Sequence, residues 1–135
     1  MADYKKPLPH PTAVTRPFWE AAKRHELQIQ QCGACHAHVF YPREVCPECL
    51  SPELGWVKVS GNGTLYSYTI AQAPTHHSFT EDVPYVIAIV ELAEGPHLTS
   101  NIVGCPIESL KLDMPVVASF ADVTSDITLV KFRPA

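Results

Sequence analysis

The chain has 135 residues, 46% of them hydrophobic and 18% charged, with a formal net charge of −4. That composition excludes a disordered or fibrous protein and leaves room for one ordinary domain, or for a small metal-stapled module joined to a compact β-domain. The charge is uneven: residues 1–61 carry seven Lys/Arg against six Asp/Glu, whereas the remainder carries three against eight, which disfavours a phosphate-backbone partner for the second part.

Residues 1–14 are polar, Pro-rich and without periodicity, and read as an extended arm. They lack the apolar core of a signal peptide, and no run of about 18 apolar residues occurs anywhere, so a soluble, cytoplasmic protein with no membrane partner is expected. From Thr15, TRPFWEAAKRHE predicts a short helix: Pro17 suits its first turn, Glu20 and Arg24 make an i,i+4 pair, and Phe18, Trp19 and Ala22 form a buried face. Phe18 and Trp19 serve equally as core or as apolar surface for a partner. Leu27, Ile29 and Gln31 then alternate with Gln28 and Gln30, which predicts a strand running into Cys32.

Cys32, Cys35, Cys46 and Cys49 are spaced C-x2-C-x10-C-x2-C. Each pair forms a tight knuckle, with Gly33 and Pro47 suiting the turns, and two knuckles complete a tetrahedron of thiolates. One structural Zn2+ is expected, with rubredoxin-like iron as the alternative metal; a disulfide-exchange pair needs no second pair beside it. Four thiolates close the coordination sphere, so the metal is expected to be structural and not catalytic. His36 and His38 read as surface residues, and Cys105 as a small buried side chain.

After the cysteines, WVKVSGNGTLYSYTI predicts two strand segments around Gly61-Asn62-Gly63, followed by strands at Tyr85–Leu92, Leu98–Val103, Val116–Ala121 and Ile127–Phe132. Between Val103 and Val116 there is room for little more than a helical turn. Five strands with a short helical insertion after the third give the strand inventory of an OB-fold barrel. The expected fold is mostly β: an arm over 1–14, a helix and zinc ribbon over 15–55, and a five-stranded OB-fold over 56–135. The longest irregular connection, Ala71 to Pro84, carries His76 and His77 with Glu81 and Asp82 nearby. As a general base, either histidine would want one of those acids to orient it, and no nucleophile motif accompanies them.

The ordered motifs PFWEAAKRHEL, QCGACHAHVFYPREVCPEC, W-x-x-V-S-G-x-G, PYVIAIVEL and FRP resemble the family, long catalogued as a domain of unknown function, that joins a rubredoxin-like zinc ribbon to an acyl-CoA-associated OB-fold. The resemblance covers residues 15–134. It implies a scaffold or accessory subunit that works beside a thiolase-like enzyme, or beside a hydratase or aldolase acting on acyl-CoA esters, with no catalytic residues of its own. A direct contact with CoA would draw on Arg43, Lys58, Lys131 or Arg133 as phosphate partners. Two rival functions are kept: a single-stranded nucleic-acid binder stacking bases on Tyr66, Tyr68 and Tyr85, and an independent CoA-ester enzyme using His76 or His77. The acidic second part of the chain argues against nucleic acid.

Overall fold

A computed structural model describes residues 4–74 and 76–135; residues 1–3 of the arm and Thr75 of the long connection lie outside the described residues. One helix, α1 (Arg16–Lys23), precedes eight strands: β1 (Gln28–Cys32), β2 (His38–Val39), β3 (Leu54–Lys58), β4 (Asn62–Ala71), β5 (Tyr85–Leu92), β6 (His97–Ser100), β7 (Pro115–Asp122) and β8 (Thr128–Pro134). They form an antiparallel three-stranded sheet in the order β2-β1-β3 and an antiparallel five-stranded sheet in the order β6-β5-β4-β7-β8.

The helix begins where Pro17 allows and buries Ala21 and Ala22 completely, with Phe18 and Trp19 half-buried beside them. It ends earlier than its sequence suggests. His25 takes a left-handed φ of 60°, its N–H bonds the Ala22 carbonyl at 2.8 Å, and the Glu26 N–H returns to the Ala21 carbonyl at 3.0 Å. This paired closure satisfies the last carbonyls of a helix and usually employs glycine, so a histidine there gave no warning. The expected Glu20–Arg24 ion pair does not form: Arg24 donates to the Glu20 backbone carbonyl and pairs with Glu26 at 3.6 Å.

Strand β1 departs from simple alternation. Leu27 and Ile29 are buried, but the next buried side chains are Gln30 and Cys32, not Gln31. Gln30 earns its place by a two-point bond to the Arg43 backbone, accepting from its N–H at 2.7 Å and donating to its carbonyl at 2.9 Å. The first segment of WVKVSGNGTLYSYTI becomes β3 and pairs with β1 along its whole length, so it belongs to the ribbon sheet.

The five-stranded sheet curls into the OB-fold half-barrel. Gly61 turns the chain into β4 with φ 81°, and Gly63 is obligatory because a Cβ there would lie 2.6 Å from the Glu91 carbonyl oxygen. A bulge at Tyr66 bends β4. The edge strands come together through a single parallel bridge between Ile102 and Phe132, where the Val103 N–H reaches the Phe132 carbonyl at 2.8 Å. A 3-10 turn, Ile107–Ser109, follows β6 as the sequence predicts. Phe132, Leu65, Val90, Leu92 and Val116 are sealed in the interior, and Leu27 and Ile29 of β1 join the same cluster. Ribbon and barrel therefore share one apolar core at the root of β1.

Candidate metal centre

The two cysteine knuckles are built alike. In the first, the N–H groups of Ala34 and Cys35 point at Cys32 Sγ, each at 3.4 Å; in the second, the Glu48 N–H points at Cys46 Sγ at 3.4 Å. The residue after each second cysteine swings into the left-handed region, His36 at φ 65° and Leu50 at φ 66°. Its N–H then closes back on the first cysteine's carbonyl, at 2.9 Å for His36 and 2.8 Å for Leu50. β1 delivers the first knuckle, a bond from Gly33 N–H to the Glu53 carbonyl ties it to the segment that leaves the second, and a bond from Cys46 N–H to the Ser51 carbonyl closes the second on itself.

All four sulfurs lie within 4.8 Å of one another. Across the knuckles, Cys32 Sγ is 3.6 Å from Cys49 Sγ and Cys35 Sγ is 3.7 Å from Cys46 Sγ. A tetrahedron with zinc–sulfur bonds of about 2.3 Å has an edge of about 3.8 Å, so these spacings fit one structural zinc ion. Electrostatics point the same way. The Cys35 N–H, helped by Ala34, pulls the Cys32 thiol down to about 6. At Cys49 the Ser51 N–H favours the thiolate, yet desolvation and the neighbouring sulfurs push it up to about 12. Four thiolates this close need a cation between them. Cys32 and Cys46 are buried, Cys35 and Cys49 exposed. His36 is exposed and His38 half-buried in β2, and neither belongs to the cluster.

The other groups singled out in the sequence are scattered. His76 and His77 sit exposed on a 3-10 turn, His77–Phe79, with their rings 4.1 Å apart; His76 Nδ1 is bonded to Ser78 Oγ at 2.6 Å. Asp82 is held by Lys6 of the arm at 2.8 Å, so it orients neither histidine. Tyr68 packs on the core and Tyr85 stacks on Phe79, which leaves Tyr66 as the exposed member of the three tyrosines. Its ring lies on His97, which is itself bonded to Glu91 at 3.0 Å. Arg43, Lys58 and Arg133 are exposed, whereas Lys131 is half-buried, and Cys105 is half-buried in a cavity wall instead of sealed in the core.

Two contacts that fix the site's surroundings carry no sequence signal. One is the Lys6–Asp82 latch between the arm and the long connection, which pairs residues 76 positions apart and has no local signal. The other is His25, whose Nε2 lies 3.0 and 3.1 Å from the Asp122 carboxylate oxygens and whose ring stacks on Phe120. This contact pins the end of α1 to β7. Among the described residues, no helix is long and apolar enough to cross a membrane.

Comparison with known proteins gives a consistent picture. Residues 19–55 match the model described as the ChsH2 rubredoxin-like zinc ribbon domain, and residues 56–121 match the ChsH2 C-terminal OB-fold domain. The chain is 42% identical over 119 residues to the probable enoyl-CoA hydratase alpha subunit of Thermomonospora curvata, covering 87% of this chain and 37% of that protein; it thus spans little more than a third of that relative. It is 37% identical over 117 residues to a DUF35 domain-containing scaffold protein of Methanothermobacter thermautotrophicus, covering 85% of this chain and 86% of the relative. Among solved structures it is similar to a chain of the Ltp2-ChsH2(DUF35) aldolase, with TM-score 0.84 and 38% identity, over 94% of this chain and 98% of that one.

Proposed function

The chain belongs to the ChsH2-type family that joins a rubredoxin-like zinc ribbon to an OB-fold, and from that premise we propose that it is a zinc-binding accessory subunit that holds an acyl-CoA-processing enzyme in its working assembly. One observation carries this: the chain corresponds, almost end to end, to a chain of an aldolase. The partner we propose is an acyl-CoA hydratase or aldolase, the classes named for the relatives; a thiolase-like acyltransferase is the narrower form of the same proposal. Cys32, Cys35, Cys46 and Cys49 are assigned as the ligands of one zinc ion, whose chemistry is to cross-link the knuckles. Cytoplasmic residence suits four reduced thiols.

The second knuckle supplies the contact surface. Leu50 holds a left-handed backbone while 73% exposed, and Val45 beside it is 44% exposed. The knuckle imposes that conformation, because the Leu50 N–H must close on the Cys46 carbonyl at 2.8 Å, and it leaves two neighbouring apolar side chains facing outward as the surface offered to the partner. The nucleic-acid alternative is disfavoured by the placement of Tyr66, whose stacking partner His97 carries the acidic Glu91. The independent-enzyme alternative is disfavoured by Asp82, which is committed to Lys6.

Reconstitution tests the proposal. The chain by itself should turn over no acyl-CoA ester, and a hydratase, aldolase or thiolase-like enzyme purified with it should lose activity or assembly when the chain is omitted. Turnover by the isolated chain, abolished by His77→Ala with stability unchanged, would replace the accessory role with an enzymatic one.

A further inference from the structure

The barrel seam is joined at one bridge, Ile102 to Phe132, and beside that bridge two cavities meet. The first has a volume of about 310 Å³ and an apolar wall that includes Phe18, Trp19 and Phe40. The second has a volume of about 610 Å³ and lies beneath the arm, with Lys6 and Asp82 at its rim. Asn101, Leu129 and Lys131 line both. One side of this junction thus offers hydrocarbon contact, and the other offers charge.

The two lysines are paired unequally. Lys6 is paired with Asp82 at 2.8 Å, while Lys131, half-buried, has no carboxylate within ion-pair distance among the described residues. Desolvation, and after it repulsion from Lys6, holds the Lys131 ammonium below the usual lysine range, and attraction from Asp82 opposes them only in part. A half-buried cation where an apolar cavity meets a charged one thus has no carboxylate bonded to it. Both volumes fall in the size range of small-molecule sites, which pair an apolar lining with few polar anchors.

We propose that this seam is a binding site for a single-chain amphipathic anion, its apolar chain lying against Phe18, Trp19 and Phe40 and its anionic end group on Lys131, with Lys6 released from Asp82 to join it. The shared chemistry is a short hydrocarbon chain ending in a carboxylate or a phosphate ester. This site is separate from the metal centre and does not depend on the accessory role proposed above, because the isolated chain is sufficient to test it.

Trp19 in the first cavity is a built-in reporter. In the full-length zinc-loaded chain carrying Trp56→Phe, titration with octanoate and with octyl phosphate should each give a saturable change in Trp19 fluorescence, and the tighter of the two identifies the end group. Octanol should bind about tenfold or more weakly, since a charge-assisted hydrogen bond is lost. Lys131→Met should weaken both anions by about tenfold without changing octanol, and Lys131→Arg should restore them. Asp82→Asn should tighten anion binding, because it removes the competing carboxylate, while its thermal unfolding and its octanol binding stay unchanged, which separates the gain from exposure of apolar surface. Absence of saturation by either anion, equal binding of octanol, or unchanged anion binding in both Lys131→Met and Asp82→Asn would overturn the proposal.

Discussion

The ribbon and the barrel solve the same problem with different physics. The barrel seals large side chains such as Phe132, Leu65 and Leu92 in a continuous interior. The ribbon's own buried cluster among the described residues is Cys32, Val39 and Cys46, with Ala37 and Leu54 at its edge, too little apolar surface to order two knuckles and a short three-stranded sheet. A metal cross-link supplies what burial cannot. The lesson is that damage should be local in the ribbon and global in the barrel, according to which force is removed.

The largest effect is expected from the metal. Structural zinc contributes about 10–16 kcal/mol in small zinc-binding peptides at neutral pH, so chelation or Cys46→Ser should abolish amide protection over residues 32–53. Hydrogen exchange should show β4 and β5 still protected, and metal analysis should give about one zinc per chain. Acid should release the metal, because protons compete for thiolates. A ribbon that keeps its protection without zinc would break the comparison.

Next in size is the barrel core. Phe132→Ala should cost about 3–5 kcal/mol in denaturant unfolding and, because Phe132 also supplies the seam bridge, should lower protection in β6 and β8 together. Gln30→Ala tests the boundary between the two regimes. It strands the Arg43 N–H and carbonyl, which should cost about 1–3 kcal/mol and loosen the approach to the second knuckle while leaving zinc bound.

Leu50→Gly should be neutral or stabilising by up to about 1 kcal/mol, as relief of the left-handed backbone outweighs the added freedom of the unfolded chain. The same variant should weaken partner assembly, which a size-exclusion comparison of the reconstituted complex would reveal. The smallest effect belongs to Asp122. Bonds from Thr128 and then His25 hold its carboxyl below the usual carboxylate range. A depressed folded-state pKa stabilises above the unfolded value of about 3.9 and loses that contribution as pH falls through the folded value. Both side chains are about half exposed, so solvent screens the pair, and Asp122→Asn should flatten the acid limb of the stability profile only slightly.

How much of this was readable in the chain follows from the range of each signal. The cysteine knuckles, the β-rich architecture and the strands from Tyr85 onward announce themselves through spacing and apolar runs of a few residues. The pairing of β3 with β1 does not, because an apolar strand carries no label for its sheet. Gln30 looked like a solvent-facing residue because its partner is a backbone unit 13 positions away. His36 and Leu50 concealed left-handed turns that glycine would have advertised. The arm appeared unattached, since one lysine cannot show in sequence that it meets Asp82.

Strand β1 has a consequence for how the ribbon is held. Ile29 is embedded in the barrel's interior and Cys32 is a member of the sulfur cluster, yet only two residues, Gln30 and Gln31, and about 10 Å of extended backbone separate them. That stretch is hydrogen-bonded on both sides, by β2 and by β3, so it behaves as a stiff rod and not a slack tether. Its Ile29 end is anchored in packing that does not need the ion, so the barrel holds the root of the first knuckle in place whatever happens at the sulfurs. The oil end of this protein is the foundation on which the metal end is set.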